Sequence, residues 1–149
     1  MLSRIKITEI MKTEFVTYEI ALELKELGFD EPCFGYYVDG ELRGINLGIK
    51  ELGGKEPYYQ RFGFHVISNL DIDNATKVII AAPTFSQAFR WFREKYELYY
   101  TIEGSIKEGF QYFVYTYEYE IKSEESFNTY EEAELACLVK LIEIVKEKK

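Results

Sequence analysis

The first clear periodicity in the chain begins at Thr17. Ile20, Leu24 and Leu27 recur at i, i+4 and i+7 with Ala21 beside them, while Glu19, Glu23, Lys25 and Glu26 fall on the other side. That spacing predicts an amphipathic helix over Thr17 to Leu27. Thr17 is suited to cap its start, and Gly28 stands where a helix end favours a left-handed residue. From Cys33 the period changes to two. Phe34, Tyr36 and Val38 share a face up to Asp39-Gly40, a pair that tolerates the positive φ of a tight turn, so a hairpin returning from Glu41 is expected. Ile45, Leu47 and Ile49 alternate with Asn46, Gly48 and Lys50, and Phe62, Phe64 and Val66 alternate with Gly63, His65 and Ile67. Both stretches read as strands, with loops at Gly53-Gly54, Pro57 and Asp71 to Asn74. Val78-Ile79-Ile80 reads as a short buried strand that ends at Pro83.

The strongest helix signal follows. Phe85, Ala88, Phe89, Phe92 and Tyr96 form a wide apolar stripe, Trp91 lies at its edge, and Arg90, Arg93 and Glu94 point away. Thr84 with Gln87 three residues later has the form of a capping box. Leu98, Tyr100 and Ile102 then share a strand face, and a glycine-bracketed connection, Gly104 to Gly109, leads into a return strand over 110–121. In that strand Phe113, Tyr115, Tyr117, Tyr119 and Ile121 are expected on one face and Thr116, Glu118 and Glu120 on the other. After a polar loop from Lys122 to Asn128, Thr129 and Glu132 open a last helix whose broad face holds Leu135, Leu138, Leu141, Ile142 and Val145, widened by Ala133, Cys137 and Ile144. The expected class is α+β: an antiparallel sheet of about four to six strands, two hairpins included, with three helices packed on it. The expected order is helix, hairpin, strands, helix, hairpin, helix. Residues 1–149 are expected to form a single domain, with 1–12 as a loosely attached N-terminal extension.

Composition narrows the function classes. The 149 residues carry 18 Lys+Arg against 26 Asp+Glu, a net charge of −8. An excess of carboxylates repels a phosphate backbone, so nucleic acid is not an expected partner. No run of about 18 apolar residues exists, so no membrane span is expected, and the charged start of the chain lacks a signal-peptide stretch. Two cysteines, Cys33 and Cys137, make no disulfide framework, and a cytoplasmic location follows as the expectation. Thirteen Tyr, 11 Phe and one Trp rule out disorder for the bulk of the chain.

Three segments resemble an uncharacterised family of small proteins from bacteriophages, prophages and other mobile elements of gut bacteria. They run from Glu19-Ile20-Ala21-Leu22 through Lys25-Glu26-Leu27-Gly28-Phe29-Asp30-Glu31-Pro32-Cys33-Phe34-Gly35-Tyr36, from Ala82-Pro83-Thr84 through Gln87-Ala88-Phe89-Arg90-Trp91-Phe92-Arg93-Glu94-Lys95-Tyr96, and from Thr129-Tyr130-Glu131-Glu132-Ala133 through Cys137-Leu138 to Lys146. The resemblance implies a phage or prophage origin and a place in the cytoplasm of a bacterial host. It implies no activity and transfers no catalytic residue. The stretch from Glu41 to Ile80 is outside it.

Catalytic patterns are incomplete throughout. Cys33 and His65 offer a thiol and an imidazole, but no feature lowers the thiol pKa, and a buried cysteine is usually a small apolar side chain. One histidine does not suffice for a zinc site. Asp71, Asp73 and Asn74 begin like a calcium loop, but Thr76 and Ala82 replace its glycine and bidentate Glu. Gly48, Gly53, Gly54 and Lys55 depart from the phosphate-loop order, with Glu56 where Ser or Thr belongs. Glu118 and Glu120, about 7 Å apart if on one strand, form a carboxylate pair with no other sugar-site feature. No cofactor and no metal are expected.

What remains is the tyrosine surplus, which serves either core packing or a face shown to a partner, since Tyr joins apolar area to a polar tip. The residues expected to form an interaction surface are Tyr36, Tyr37, Arg90, Trp91, Arg93 and Tyr112. The leading expectation is a non-enzymatic protein-interaction module, a phage accessory protein that binds a protein partner or itself as a homodimer. The alternatives are an acidic inhibitor that imitates nucleic acid to occupy a host enzyme, and a small-ligand binder or enzyme that uses an aromatic groove with Cys33 or His65.

Overall fold

The computed structural model describes residues 12–43, 68–69 and 79–149. The chain divides into two compact units, Met1–Ser86 and Gln87–Lys149. The described residues hold three helices and two three-stranded antiparallel sheets, an α+β fold in the expected order, with the strands shared between two sheets. The strands expected around Leu47 and Phe64, the start of the one around Val78, and residues 1–11 lie outside the described residues.

In the first unit, α1 (Tyr18–Glu26) forms where the apolar spacing places it. The Thr17 hydroxyl accepts from the Ile20 amide at 3.4 Å. At the other end Gly28 turns left-handed at φ 90°, its amide donating to the Lys25 carbonyl and the Phe29 amide to the Leu24 carbonyl. Those two bonds satisfy carbonyls that the helix leaves unpaired. β1 (Gly35–Val38) and β2 (Glu41–Arg43) form a hairpin with Val38 opposite Glu41, and Asp39 and Gly40 both have positive φ, 50° and 82°. That is the mirror-image turn which matches strand twist. β3 (Ile79–Ala82) pairs on the other side of β1, giving the order β2-β1-β3.

All four residues of β1 and all four of β3 are buried. α1 packs against β3. The Tyr37 hydroxyl donates to the Val16 carbonyl at 2.7 Å, which satisfies the phenol inside the core. Burial pushes the Tyr37 pKa up, and the Glu19 carboxylate adds to the shift. Asn69 acts as a clasp: its amide nitrogen donates to the Phe29 carbonyl and its oxygen accepts from the Ala81 amide.

The second unit contains all but the first two residues of α2 (Phe85–Tyr96), which buries Ala88, Phe89, Trp91 and Phe92. α2 ends at Glu97, left-handed at φ 56°, with its amide bonded to the Arg93 carbonyl. β4 (Tyr99–Ser105) and β5 (Gly109–Tyr115) pair from Tyr99 opposite Tyr115 to Ser105 opposite Gly109. Even-numbered positions face the helices. Phe89 stacks on Tyr100 at 3.7 Å, and Val114 is fully buried. α3 (Tyr130–Lys148) packs on β5 and β4 from that side.

One expectation is corrected here. Residues 110–121 do not form one strand. β5 stops at Tyr115, the chain turns over 116–119, and β6 (Glu120–Lys122) returns antiparallel with Tyr115 opposite Glu120. Thr116 causes the break. Its hydroxyl accepts from the amides of Glu118 and Tyr119 at 3.2 and 3.0 Å and donates to the Tyr119 carbonyl, which also takes the Thr116 amide at 2.9 Å. Such side-chain bonds offer the backbone an alternative to the ladder. Tyr117 therefore sits at a turn tip and is 99% exposed. Glu118 lies in the turn and Glu120 opens β6, so the two carboxylates do not share a strand.

Candidate functional site

Period-two alternation turns Phe110, Tyr112 and Val114 of β5 toward α3. After β6 the chain runs back beside β5. The Ser123 amide donates to the Tyr112 carbonyl at 2.9 Å, and the buried Ser123 hydroxyl accepts from the Tyr112 amide and donates to the Glu125 carbonyl. Phe110 and Phe127 then exchange both backbone bonds, at 2.8 and 2.7 Å. This braid places the Phe127 ring 6.3 Å from the Tyr112 ring and nearly parallel to it, at 24°.

α3 starts immediately after this ring pair. Thr129 caps it by accepting from the Glu132 amide at 3.1 Å, and the Glu132 carboxylate reaches back to the Asn128 amide, also at 3.1 Å. The helix buries Ala133, Cys137, Leu138, Leu141, Ile142, Ile144 and Val145. Leu135 and Val139 are apolar too, but they lie outside that stripe, and Val139 is 39% exposed. Between this second stripe and the Tyr112–Phe127 wall runs an open groove of about 540 Å³, lined also by Glu132, Ala136, Lys140 and Glu143. Its volume is in the range of ligand sites, but its openness to solvent and its apolar walls suit an extended partner better than an enclosed small molecule.

The groove has neutral walls and charged rims. Burial raises the Tyr112 pKa against the opposing pull of the Lys140 ammonium, so the phenol stays protonated near neutral pH. Lys140 donates to the Glu143 carboxylate at 3.1 Å, and that bond holds its pKa above the usual lysine value. Beneath the helix the Cys137 thiol is pushed up to about 12 by burial, with Glu134 adding to the shift. A thiol this far from ionising is no nucleophile.

The residues expected on an interaction surface separate into different surroundings. Tyr36 and Tyr37 are buried in β1 of the first unit. Trp91 is also buried, under the Lys95 ammonium at 4.9 Å from its ring. Arg90 and Arg93 are exposed on α2. Only Tyr112 lines the groove. Cys33 is buried and donates to the Glu31 carbonyl at 3.4 Å. His65, the glycine-rich 48–56 stretch and Asp71 to Asn74 lie outside the described residues. Among the described residues no group of three or more His, Cys, Asp or Glu could hold a metal ion, and no helix is long and apolar enough to cross a membrane.

Sequence reasoning did not single out Phe127, Ala136, Val139 or Lys140. The signal was present in part: Leu135 and Val139 exceed what one buried helical stripe requires. The other face of the second sheet is open as well. Tyr99, at 52% exposure, Thr101, Phe113 and Tyr115 stand there, with Lys122 over the Phe113 ring at 5.6 Å. No protein-family profile, no curated protein and no solved structure matches the chain.

Proposed function

We propose that this protein is a non-enzymatic interaction module that takes apolar side chains of another protein chain along the groove between α3 and the Tyr112–Phe127 wall. The observation that carries the reading is Val139. It is a sizeable apolar residue open to solvent on a packed helix, beside a ring wall built by three backbone bonds and a buried serine. Solvent-facing apolar grooves with charged rims are the usual form of helix-binding surfaces. The resemblance to small phage and prophage proteins supports a role as an accessory protein in the cytoplasm of a bacterial host.

A photo-reactive phenylalanine analogue placed at position 139, and separately at the exposed position 107, tests this. Position 139 should give adducts of definite mass in host extract or with the purified chain, and Leu135→Asp should suppress them. Equal yields from both positions, or yields indifferent to Leu135→Asp, overturn the reading.

A further inference from the structure

Two of the three charges on the groove side of α3 stand in a self-matching order, while the third, Glu143, is held by Lys140 and would fall opposite Thr129. Glu132 stands at one end and Lys140 eight residues on, about 12 Å along the helix at 1.5 Å per residue. Ala136 lies midway, four residues from each. If a second α3 runs antiparallel about a two-fold axis at Ala136, each Glu132 faces the other copy's Lys140, so the ion pair forms twice. A parallel pairing would instead set Glu132 against Glu132 and Lys140 against Lys140. The small side chain at the axis allows the close approach that helix packing needs, about 8–10 Å between axes.

We infer that the occupant of the groove is α3 of a second copy of this chain, in an isologous dimer with its axis at Ala136; this rests on the proposed interaction role of the same groove. In an isologous contact the same patch serves both partners, so one stripe must be its own complement. This stripe meets that demand in charge through Glu132 and Lys140, and in shape through Leu135 and Val139 against the other copy's Tyr112–Phe127 wall. The existing bonds leave room for the new ones. An ammonium has three donors, of which Glu143 takes one, and a carboxylate has about four acceptor sites, of which Asn128 uses one.

Sedimentation equilibrium of the full chain tests the inference. The wild type should show twice the 17.6 kDa chain mass. Lys140→Glu should weaken association roughly ten- to hundred-fold, because like charges then meet at two places. Glu132→Lys should do the same, and the double variant Glu132→Lys/Lys140→Glu should restore it to within a few-fold of wild type. Since the double variant also lacks the Glu132 bond to Asn128, its recovery cannot come from helix capping, and far-UV circular dichroism confirms that each variant folds. A monomer at on the order of 100 µM, well above a micromolar dissociation constant, overturns the inference. So does a dimer indifferent to the charge reversals. A monomer that still gives position-139 adducts in host extract overturns self-pairing alone and identifies a different protein as the occupant. A monomer with no such adducts overturns the interaction role as well.

Discussion

The two sheets share a strand count and an antiparallel pattern, yet they use their faces differently. In the first unit β1 and β3 bury every residue, including Tyr36 and Tyr37. In the second, β5 fully buries only Val114, and β4 alternates between exposed and half-buried positions from Tyr99 to Glu103 and is exposed at Gly104 and Ser105. A sheet with both faces covered uses tyrosine as core, with its hydroxyl tied inside, as Tyr37 is tied to Val16. A sheet with one open face leaves aromatic rings at the surface. The same residue type thus fills a core in one unit and clothes a surface in the other.

The largest effect expected from breaking this contrast is at β3. Ile80 is fully buried. Ile80→Ala should cost about 2–5 kcal/mol of stability in urea unfolding, through lost burial and the cavity left behind. A cost below about 1 kcal/mol would mean that the site collapses freely and that the first sheet is not packed on both faces.

The next effect lies in the second unit at alkaline pH. Burial pushes the Tyr100 phenol up to about 12, with Glu134, Tyr130 and Cys137 adding to the shift and Arg93 opposing it. The Cys137 thiol is also pushed up to about 12. Both groups hold their protons in the fold at a pH where the unfolded chain has released them. Their stabilising effect is therefore whole below the unfolded values, 9.0 for the thiol and 10.0 for the phenol, and is lost as pH climbs toward 12. Unfolding followed by circular dichroism should show stability falling over this interval, and Cys137→Ala should make the fall shallower. A flat profile sinks the assignment.

A smaller contrast compares two tyrosines. Tyr37→Phe strands the Val16 carbonyl in the core and should cost about 1–3 kcal/mol, whereas Tyr117→Phe at the exposed turn tip should stay within about 0.5 kcal/mol. Similar values at both sites would place Tyr37 outside the core. The smallest effect concerns the two helix ends. α1 ends in a left-handed glycine, and α2 ends in a left-handed glutamate, Glu97. Glu97→Gly should raise stability by up to about 1 kcal/mol, read as a higher melting temperature, because the side chain opposes that backbone conformation. A lower melting temperature would show that the Glu97 side chain makes a contact worth more than the strain.

The sequence by itself determined the elements whose cause is local. The 3.6-residue spacing marked the three helices named among the described residues, Thr17 and Thr129 marked two starts, Gly28 an end, and Asp39-Gly40 a turn, because each rests on bonds between residues a few positions apart. The same logic missed the turn at Thr116. There the usual glycine or asparagine signal is absent, and alternation through Tyr115, Tyr117 and Tyr119 imitates one long strand. Only the tertiary structure decided which aromatics are core and which are surface, since that depends on what covers each sheet face. It alone brought Phe127 beside Tyr112 and laid both against the second stripe of α3. Their pairing runs through backbone bonds to β5 from a segment that turns back on it, and periodicity within one segment carries no information about which other segment will lie alongside.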